Sequence, residues 1–353
     1  MYVTLPGIYA QAEAIDFKIQ YYRKLMDSVT AIAHPNIAFI KYWGNREDEF
    51  RIPSNGSISM NLSSLETRTS ISLDAGLPAD QITINGEIAK ERDAERIRNF
   101  LEIIRRQSGI STYARLSTSN NFPTGSGIAS SASGFAALAL AGSKAYGLSL
   151  NEPALSRLAR KGSGSACRSI PAGFVEWLPG KDDTDSFAVS LASPDHWQLV
   201  DLVAIVNAGQ KKISSTEGHH LASTSPLQSA RVMDTDRRLT ICREAIMERD
   251  LNLLAVIVEQ DCLMMHAVMM TSSPALMYWL PATLEVIQAV VHIRSEGIPA
   301  FYTIDAGANV HVLTTIEFVP DIEVKLRAIA SVSTVLISPA GGPARLVTSD
   351  LKF

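Results

Sequence analysis

Alternating apolar and polar positions dominate the first third of the chain. Residues 29–34 alternate and run into 35–44, which predicts a strand entering a functional loop. Residues 57–62 and 67–73 repeat the alternation with β-branched side chains, and 81–84 do so before an Asn85-Gly86 turn. The period then changes. Over 91–107, Ile97, Phe100, Leu101 and Ile104 fall on one helical face, and 113–118 return to strand. Residues 132–146 are rich in Ala and Leu and predict a slim, closely packing helix.

Asn151 caps a short helix over 152–160 that closes at Lys161-Gly162. Strands are expected at 173–178, 186–191 and 198–206, the last crossing into a second domain. Long helices follow at 226–248, 251–269 and 274–295, then strands at 300–304, 310–315 and 334–338 with a helix at 321–330. This order is α+β, preceded by an extension over 1–28 whose residues 14–26 can form an amphipathic helix.

With 353 residues the chain has room for two domains, and 46% hydrophobic with 19% charged residues is an ordinary globular composition. The net charge of −4 argues against general affinity for nucleic acid or anionic membranes. The N-terminus lacks a basic region followed by an apolar core, so no secretory signal is expected, and no uninterrupted apolar run reaches membrane-spanning length. Cys167, Cys242 and Cys262 have no metal-ligand spacing; they fit a reducing compartment, and the cytoplasm is the expected location.

Candidate chemistry is concentrated in four islands. The first to stand out is NFPTGSGIASSASG at 121–134, where Pro123 fixes the entry, Gly125 and Gly127 free the backbone, and Ser130, Ser131 and Ser133 place hydroxyls at a helix start. Unpaired N–H groups and the helix dipole there suit a phosphate. The residues alone also allow a structural turn, and the absence of Gly-Lys-Ser/Thr excludes a Walker A loop. The other islands are 36–44, a second Gly/Ser loop with one arginine at 162–169, and 305–309. Arg157, Arg160 and Lys161 read as a solvated helix face, His219-His220 as an exposed pair, and Met264-Met265-His266 as helix core.

Pro123 followed by Gly127-Ile128-Ala129-Ser130-Ser131-Ala132 resembles the P-x-x-x-G-[LI]-[GA]-S-S-[AS] loop of the GHMP small-molecule kinase superfamily. NIAFIKYWGN, NFPTGSGIASSASGFAAL, RLARKGSGSACRSIPAGFVEW and DAGANVHVL, in order over about residues 30–350, are together similar to its mevalonate diphosphate decarboxylase branch. The resemblance implies a ribosomal protein S5 domain 2-like N-terminal domain over 29–200, a GHMP C-terminal α/β sandwich over 201–353, and a homodimer. It also implies phosphorylation of a C3 hydroxyl by MgATP, followed by joint loss of phosphate and carbon dioxide to give an isopentenyl product.

By the same resemblance, Asp305 is the catalytic aspartate, Lys41 keeps it ionised, and Arg168 clamps the carboxylate that is lost. Asn36, Tyr42, Ser163 and Ser165 would complete the polar shell of the substrate, and Ser214 and Ser215, after Lys211 and Lys212, would meet its 5-phosphate. Pro123, Gly125, Gly127, Ala129, Ser130 and Ser131 would hold ATP, with Ser131 also serving Mg²⁺.

Two positions depart from the pattern. Ala308 stands where proline is frequent, which relaxes the backbone beside Asp305. Asn45 stands where diphosphate-using members commonly carry a lysine for the substrate diphosphate, while Arg68 and Tyr42 remain for a single phosphate. The expected reaction is therefore 5-phosphomevalonate to isopentenyl phosphate, with 5-diphosphomevalonate to isopentenyl diphosphate as the alternative. A kinase stopping at the 3-phosphate and a non-catalytic binding protein are the remaining readings.

Overall fold

The structure, a computed structural model, describes residues 28–122, 130–206 and 214–347. The amphipathic segment expected at 14–26, Lys211, Lys212 and the loop residues Pro123, Gly125, Gly127 and Ala129 lie outside them.

The first half begins with β1 (Val29–Ala33), β2 (Asn36–Ile40), a hairpin of β3 (Asn45–Glu47) and β4 (Ile52–Pro53), and β5 (Ser57–Asn61). It continues through β6 (Thr67–Leu73), β7 (Gln81–Ile84), β8 (Glu87–Ile88), α1 (Glu91–Ser108) and β9 (Ala114–Asn120). Helices α2 (Ser130–Ala145) and α3 (Glu152–Gly162) lead through a 3₁₀ turn, Gly164–Ser169, to β10 (Phe174–Leu178) and β11 (Phe187–Ala192). The second half runs β12 (Leu199–Ile205), α4 (Ser215–Leu221), α5 (Gln228–Met233), α6 (Thr235–Glu248), α7 (Leu251–Thr271) and α8 (Pro281–Ser295). It ends with β13 (Phe301–Thr303), β14 (Val310–Thr315), α9 (Val319–Arg327), β15 (Thr334–Pro339) and β16 (Arg345–Val347).

Three sheets organise these elements, in the orders β16-β1-β6-β9-β7-β8, β11-β10-β5-β2 and β13-β14-β12-β15. The small-residue helix α2 lies against the first sheet; Ala136, Ala137, Ala139 and Ala141 are all 0% exposed, and Phe135 meets Phe100 of α1 edge-on at 5.3 Å. Alanine carries no bulk beyond Cβ, so this helix approaches the sheet closely and leaves its N-terminal serines at the cavity edge. A second core joins the halves: Phe39, Met60 and Phe174 pack with Leu199, Leu254 and Phe301.

Several expected boundaries shift for identifiable reasons. The helix expected over 226–248 is broken at Asp234, which ends α5 and whose carboxylate is held by Arg237 (2.7 Å) and Arg238 (3.2 Å). The helix expected from 274 begins at Pro281 instead, because proline suits the first turn and drives the preceding Leu280 into an extended conformation (φ −108°, ψ 165°). The sequence periods predict none of β8, β16 and the β3–β4 hairpin, whose strands have two or three residues, too short for a period to register; β2 forms over Asn36–Ile40, where a loop is expected. Helix α7 is long and apolar enough to cross a membrane by length and composition, with mean hydropathy 1.6, and it carries the fully buried Asp261.

Candidate active site

β2 and β5 pair so that Asn36 faces Asn61 and Ala38 faces Ser59. The alternation in β5 turns Ser57, Ser59 and Asn61 to one side, and all three are 0% exposed. A buried row of hydroxyls needs a partner. It finds Arg168, 3% exposed, which donates through Nη1 to Ser57 Oγ (2.6 Å), through Nε to Ser59 Oγ (3.0 Å) and through Nη2 to Asn36 Oδ1 (3.1 Å). The Asn36 amide donates onward to Ser169 Oγ (2.8 Å) and the Ser165 carbonyl (3.2 Å). Asn36 therefore lies behind Arg168 and positions it.

These neutral acceptors use three of the five guanidinium N–H groups and leave one on each terminal nitrogen, the pair that fits a carboxylate bidentately. No carboxylate pairs with Arg168 among the described residues.

Lys41 follows β2 and is 1% exposed. Its Nζ donates to Asp305 Oδ1 at 2.6 Å. Its backbone is held as firmly: the N–H donates to Asp261 Oδ2 (2.7 Å), and the carbonyl accepts from Arg231 Nη2 (2.7 Å) and Asn55 Nδ2 (3.0 Å). Asp261 in turn lies 2.9 Å from Arg238 Nε and 3.7 Å from Arg231 Nη2. This buried ion cluster fixes where the lysine emerges.

Asp305 opens the loop between β13 and β14 with a quarter of its side chain exposed. Thr283 of α8 donates to the Ala308 carbonyl (2.7 Å) and Asn309 Oδ1 accepts from Val206 N (2.9 Å), so the loop is tied on both sides without a proline at 308. Burial alone would raise the Asp305 carboxyl, but Lys41, His311 and Arg168 outweigh it and hold it below the ordinary carboxylate range. His311 is itself anchored by Asp201 (2.6 Å).

Lys41, Asp305 and Arg168 open onto one cavity of about 720 Å³, with Ser130, Ser131, Ser163 and Ser165 on its wall. Ser131 Oγ lies 3.3 Å from Ser163 Oγ, joining the phosphate-loop helix to the second Gly/Ser loop. A Cβ on Gly164 would come within 2.5 Å of the Tyr42 ring, so that close approach requires glycine. Ser214 and Ser215 also line the cavity. The Ser214 hydroxyl already caps α4, bonding Glu217 Oε2 at 2.7 Å and accepting from Glu217 N at 3.2 Å.

Other expected positions fall elsewhere. Arg68 is exposed, while its neighbours Thr67 and Thr69 line the cavity; strand alternation places the arginine on the opposite face. Asn45 does not line the cavity: its Oδ1 accepts from the Tyr42 hydroxyl and its Nδ2 donates to Asp48 (2.7 Å). Arg160 is not on a solvated face, being 0% exposed, with its guanidinium paired to Asp183 and donating to the Phe50 carbonyl (2.9 Å); Lys161 also pairs with Asp183 (2.9 Å).

His219 was expected to be exposed, yet it forms cavity wall. Its ring stacks on Tyr42 (4.1 Å) and lies tilted against Trp43 (4.6 Å), and Nδ1 accepts from Gly44 N (2.9 Å), which places the proton of the neutral ring on Nε2. Met265 and His266 are core as expected, both 2% exposed. Burial, then repulsion by Arg51, pushes the His219 pKa down to about 3; burial pushes His266 down to about 4.

A consequence is acid sensitivity. Below about pH 6.5 the unfolded chain protonates these histidines while the folded chain does not, so stability falls as pH drops toward their folded values, by up to about 1.4 kcal/mol per pH unit for each. Denaturant melts at pH 7 and pH 5 should show the loss, and it should shrink in His266→Gln; equal stabilities at both pH values would refute it.

The fold is that of a GHMP kinase-like protein, with a small-residue helix laid on the first sheet, and a Lys–Asp pair and a buried arginine open onto one cavity. Residues 33–188 match the family model described as the diphosphomevalonate decarboxylase-like N-terminal domain, and residues 201–339 match that of the mevalonate 5-diphosphate decarboxylase C-terminal domain. The chain belongs to the diphosphomevalonate decarboxylase family.

Among similar proteins, the diphosphomevalonate decarboxylase of Saccharomyces cerevisiae is 39% identical over 80% of this chain and 76% of its own length. The phosphomevalonate decarboxylase of Haloferax volcanii is 33% identical over 90% of this chain and 97% of its own. The mevalonate diphosphate decarboxylase of Enterococcus faecalis superposes with TM-score 0.86 at 35% identity, covering 91% of this chain and 99% of that one. A similar solved structure, 36% identical with TM-score 0.86 over 91% and 99% of the two chains, is a complex with MVAPP, AMPPCP and magnesium.

Proposed function

We propose that this chain catalyses ATP-dependent decarboxylation of a mevalonate carrying a 5-phosphate group. The observation that carries the reading is the convergence of an ionised Asp305 held by Lys41 and an Arg168 with two free N–H groups on one cavity. Asp305 accepts the proton of the C3 hydroxyl, or orients it, as that oxygen attacks phosphorus. Lys41 keeps Asp305 ionised and offsets negative charge at the transfer point. Arg168 grips the C1 carboxylate end-on and sets the breaking C–C bond against the departing C3 oxygen. With the carboxylate gripped, the electron pair of that bond forms the new double bond as carbon dioxide and phosphate leave.

The residues present also fit MgATP. Ser130 and Ser131 begin α2, where N–H groups and hydroxyls suit phosphate oxygens, and Ser131 can serve Mg²⁺. Magnesium needs only one or two protein oxygens beside phosphates and water, which agrees with the lack of a three-ligand His/Cys/Asp/Glu cluster among the described residues. When bound, ATP supplies the phosphoryl group and Mg²⁺ neutralises its charge.

Two substrates remain. The names of the relatives back the diphosphate more broadly, since the fungal and human relatives carry it. In favour of the monophosphate stand the relative of Haloferax volcanii, matched over 97% of its own length, and the uncharged Asn45, which contacts Tyr42 from outside the cavity. The test is ATP-dependent carbon dioxide release from 5-phosphomevalonate and 5-diphosphomevalonate at matched concentrations. Higher kcat/KM with the monophosphate supports the second reading, and higher kcat/KM with the diphosphate removes it. ADP without carbon dioxide would refute decarboxylation altogether.

Tyr42, which Asn45 contacts, lines the cavity, so a longer lysine side chain in Asn45→Lys can reach past it to a diphosphate; a charge-assisted contact of about 1.5–3 kcal/mol should then shift the preference ratio toward that substrate roughly ten- to hundredfold. An unchanged ratio would show that position 45 does not set specificity.

A further inference from the structure

Two of the cations that line the cavity are already paired. Lys41 pairs with Asp305 and Arg92 reaches Glu217 at 3.8 Å, while Lys90 lines the cavity without an ion pair among the described residues. Arg168 is positioned by neutral acceptors for the carboxylate. Two further guanidinium groups line the cavity without a carboxylate partner among the described residues, Arg51 and Arg96.

They meet consecutive carbonyls of one segment, at the end of α3. Arg96 lies 5.1 Å over the Phe135 ring, on the helix that follows the phosphate loop, and reaches the Gly162 carbonyl at 3.4 Å. Arg51 is the one of the two whose charge also reaches the Tyr42 hydroxyl and the His219 ring. Its Nε donates to the Lys161 carbonyl (3.2 Å), and neither terminal nitrogen has a hydrogen-bond partner among the described residues. The backbone at Arg51 is left-handed, φ 53°, in the turn between β3 and β4. A long side chain rarely adopts that conformation, and the turn carries its cost while delivering the guanidinium to the cavity wall. After burial, Arg51 is the largest influence lowering the pKa of Arg96. Like charges sharing a cavity leave unfavourable energy that an anionic ligand between them would relieve.

We propose that Arg51 is the specificity cation of the substrate end, receiving the 5-phosphate on its two terminal nitrogens with the His219 Nε2–H as a second donor. It takes over the task assigned by sequence to Arg68, which faces away, and compensates for the uncharged Asn45 from six residues further along the chain. His219 is suited to the role because Gly44 fixes its tautomer. A planar guanidinium and one ring N–H make a compact receptor for one phosphate group. The assignment rests on a 5-phosphorylated mevalonate being the substrate, and not on the number of phosphates.

The test uses the full chain with Arg51→Asn, which tolerates the left-handed backbone, and Arg51→Lys, which restores charge. Steady-state kinetics on either phosphorylated substrate should show KM for that substrate rising roughly ten- to hundredfold in Arg51→Asn, with KM for ATP within about twofold. Arg51→Lys should recover part of the loss. Calorimetric binding of each phosphorylated substrate without nucleotide should weaken in parallel, while inhibition by unphosphorylated mevalonate stays the same, which excludes misfolding as the cause. An unchanged substrate KM, an equal rise in KM for ATP, or an equal loss of mevalonate inhibition would overturn the assignment. If the wild type prefers the diphosphate, the monophosphate reading falls while the Arg51→Asn comparison still decides the role of Arg51. If neither substrate yields carbon dioxide but both bind, decarboxylation falls and the calorimetric comparison decides it.

Discussion

Asp305→Asn is expected to lower kcat by about 10²–10⁴-fold while leaving KM for ATP within a few-fold. The carboxamide matches the carboxylate in shape, so the cavity keeps its form. What disappears is the negative charge 2.6 Å from Lys41 Nζ and the capacity to accept a proton from the C3 hydroxyl. Production of both ADP and carbon dioxide should fall together, because decarboxylation waits on phosphorylation. The pH profile carries independent information. The carboxyl is held below its ordinary range, so it stays ionised through neutral pH, and its contribution is lost only as pH falls through that lowered value. An acid limb near neutrality must therefore come from another group. Turnover near that of the wild type in Asp305→Asn would remove this residue from the chemistry.

The second large effect is on stability. Asp261→Asn should cost about 3–5 kcal/mol, because the change leaves Arg231 and Arg238 with one negative partner fewer in a site closed to water. Arg231 is 1% exposed and Arg238 is 0% exposed, so neither can turn to solvent without opening the packing around it. Arg238 keeps Asp234 at 3.2 Å; Arg231 keeps only carbonyl and amide oxygens. Activity should fall as well, since Asp261 accepts the Lys41 backbone N–H and sets the path of the chain into the site. Urea melts would give the number from the shift in midpoint at constant slope, and a loss below about 1 kcal/mol would show that the cluster tolerates a missing charge.

The contrast between these two aspartates shows what the sequence could reveal. Asp305 was legible because it sits in a short segment of unusual composition that keeps the family pattern. Asp261 sits inside an apolar helical stretch, and its partner Lys41 is 220 residues away, so no local signal marks it. The same holds for Ser57 and Ser59, whose alternation announced a strand but not that its polar side faces inward to an arginine. Arg68 was the right residue type on the wrong face, an outcome that strand period could have flagged once Thr67 and Thr69 were compared with it. His219 and Arg51 escaped notice for a different reason: their roles come from the way α4 and the β3–β4 turn converge on Tyr42. The strands and main helices were readable because burial repeats with their own periods. Boundaries moved where a single proline or a carboxylate overruled propensity.

The pairing of β16 with β1, which sets Thr30 opposite Val347 and Ile32 opposite Arg345, ties the order of synthesis to the order of assembly. During translation β1 is among the first described segments to leave the ribosome, yet one of its two flanks stays open until more than three hundred further residues have been added. The shared core imposes the same delay, because Phe39 and Phe174 await Leu254 and Phe301. The nascent N-terminal half therefore carries an unpaired strand edge and an uncovered apolar face through most of its time on the ribosome, the condition under which chaperones engage a chain.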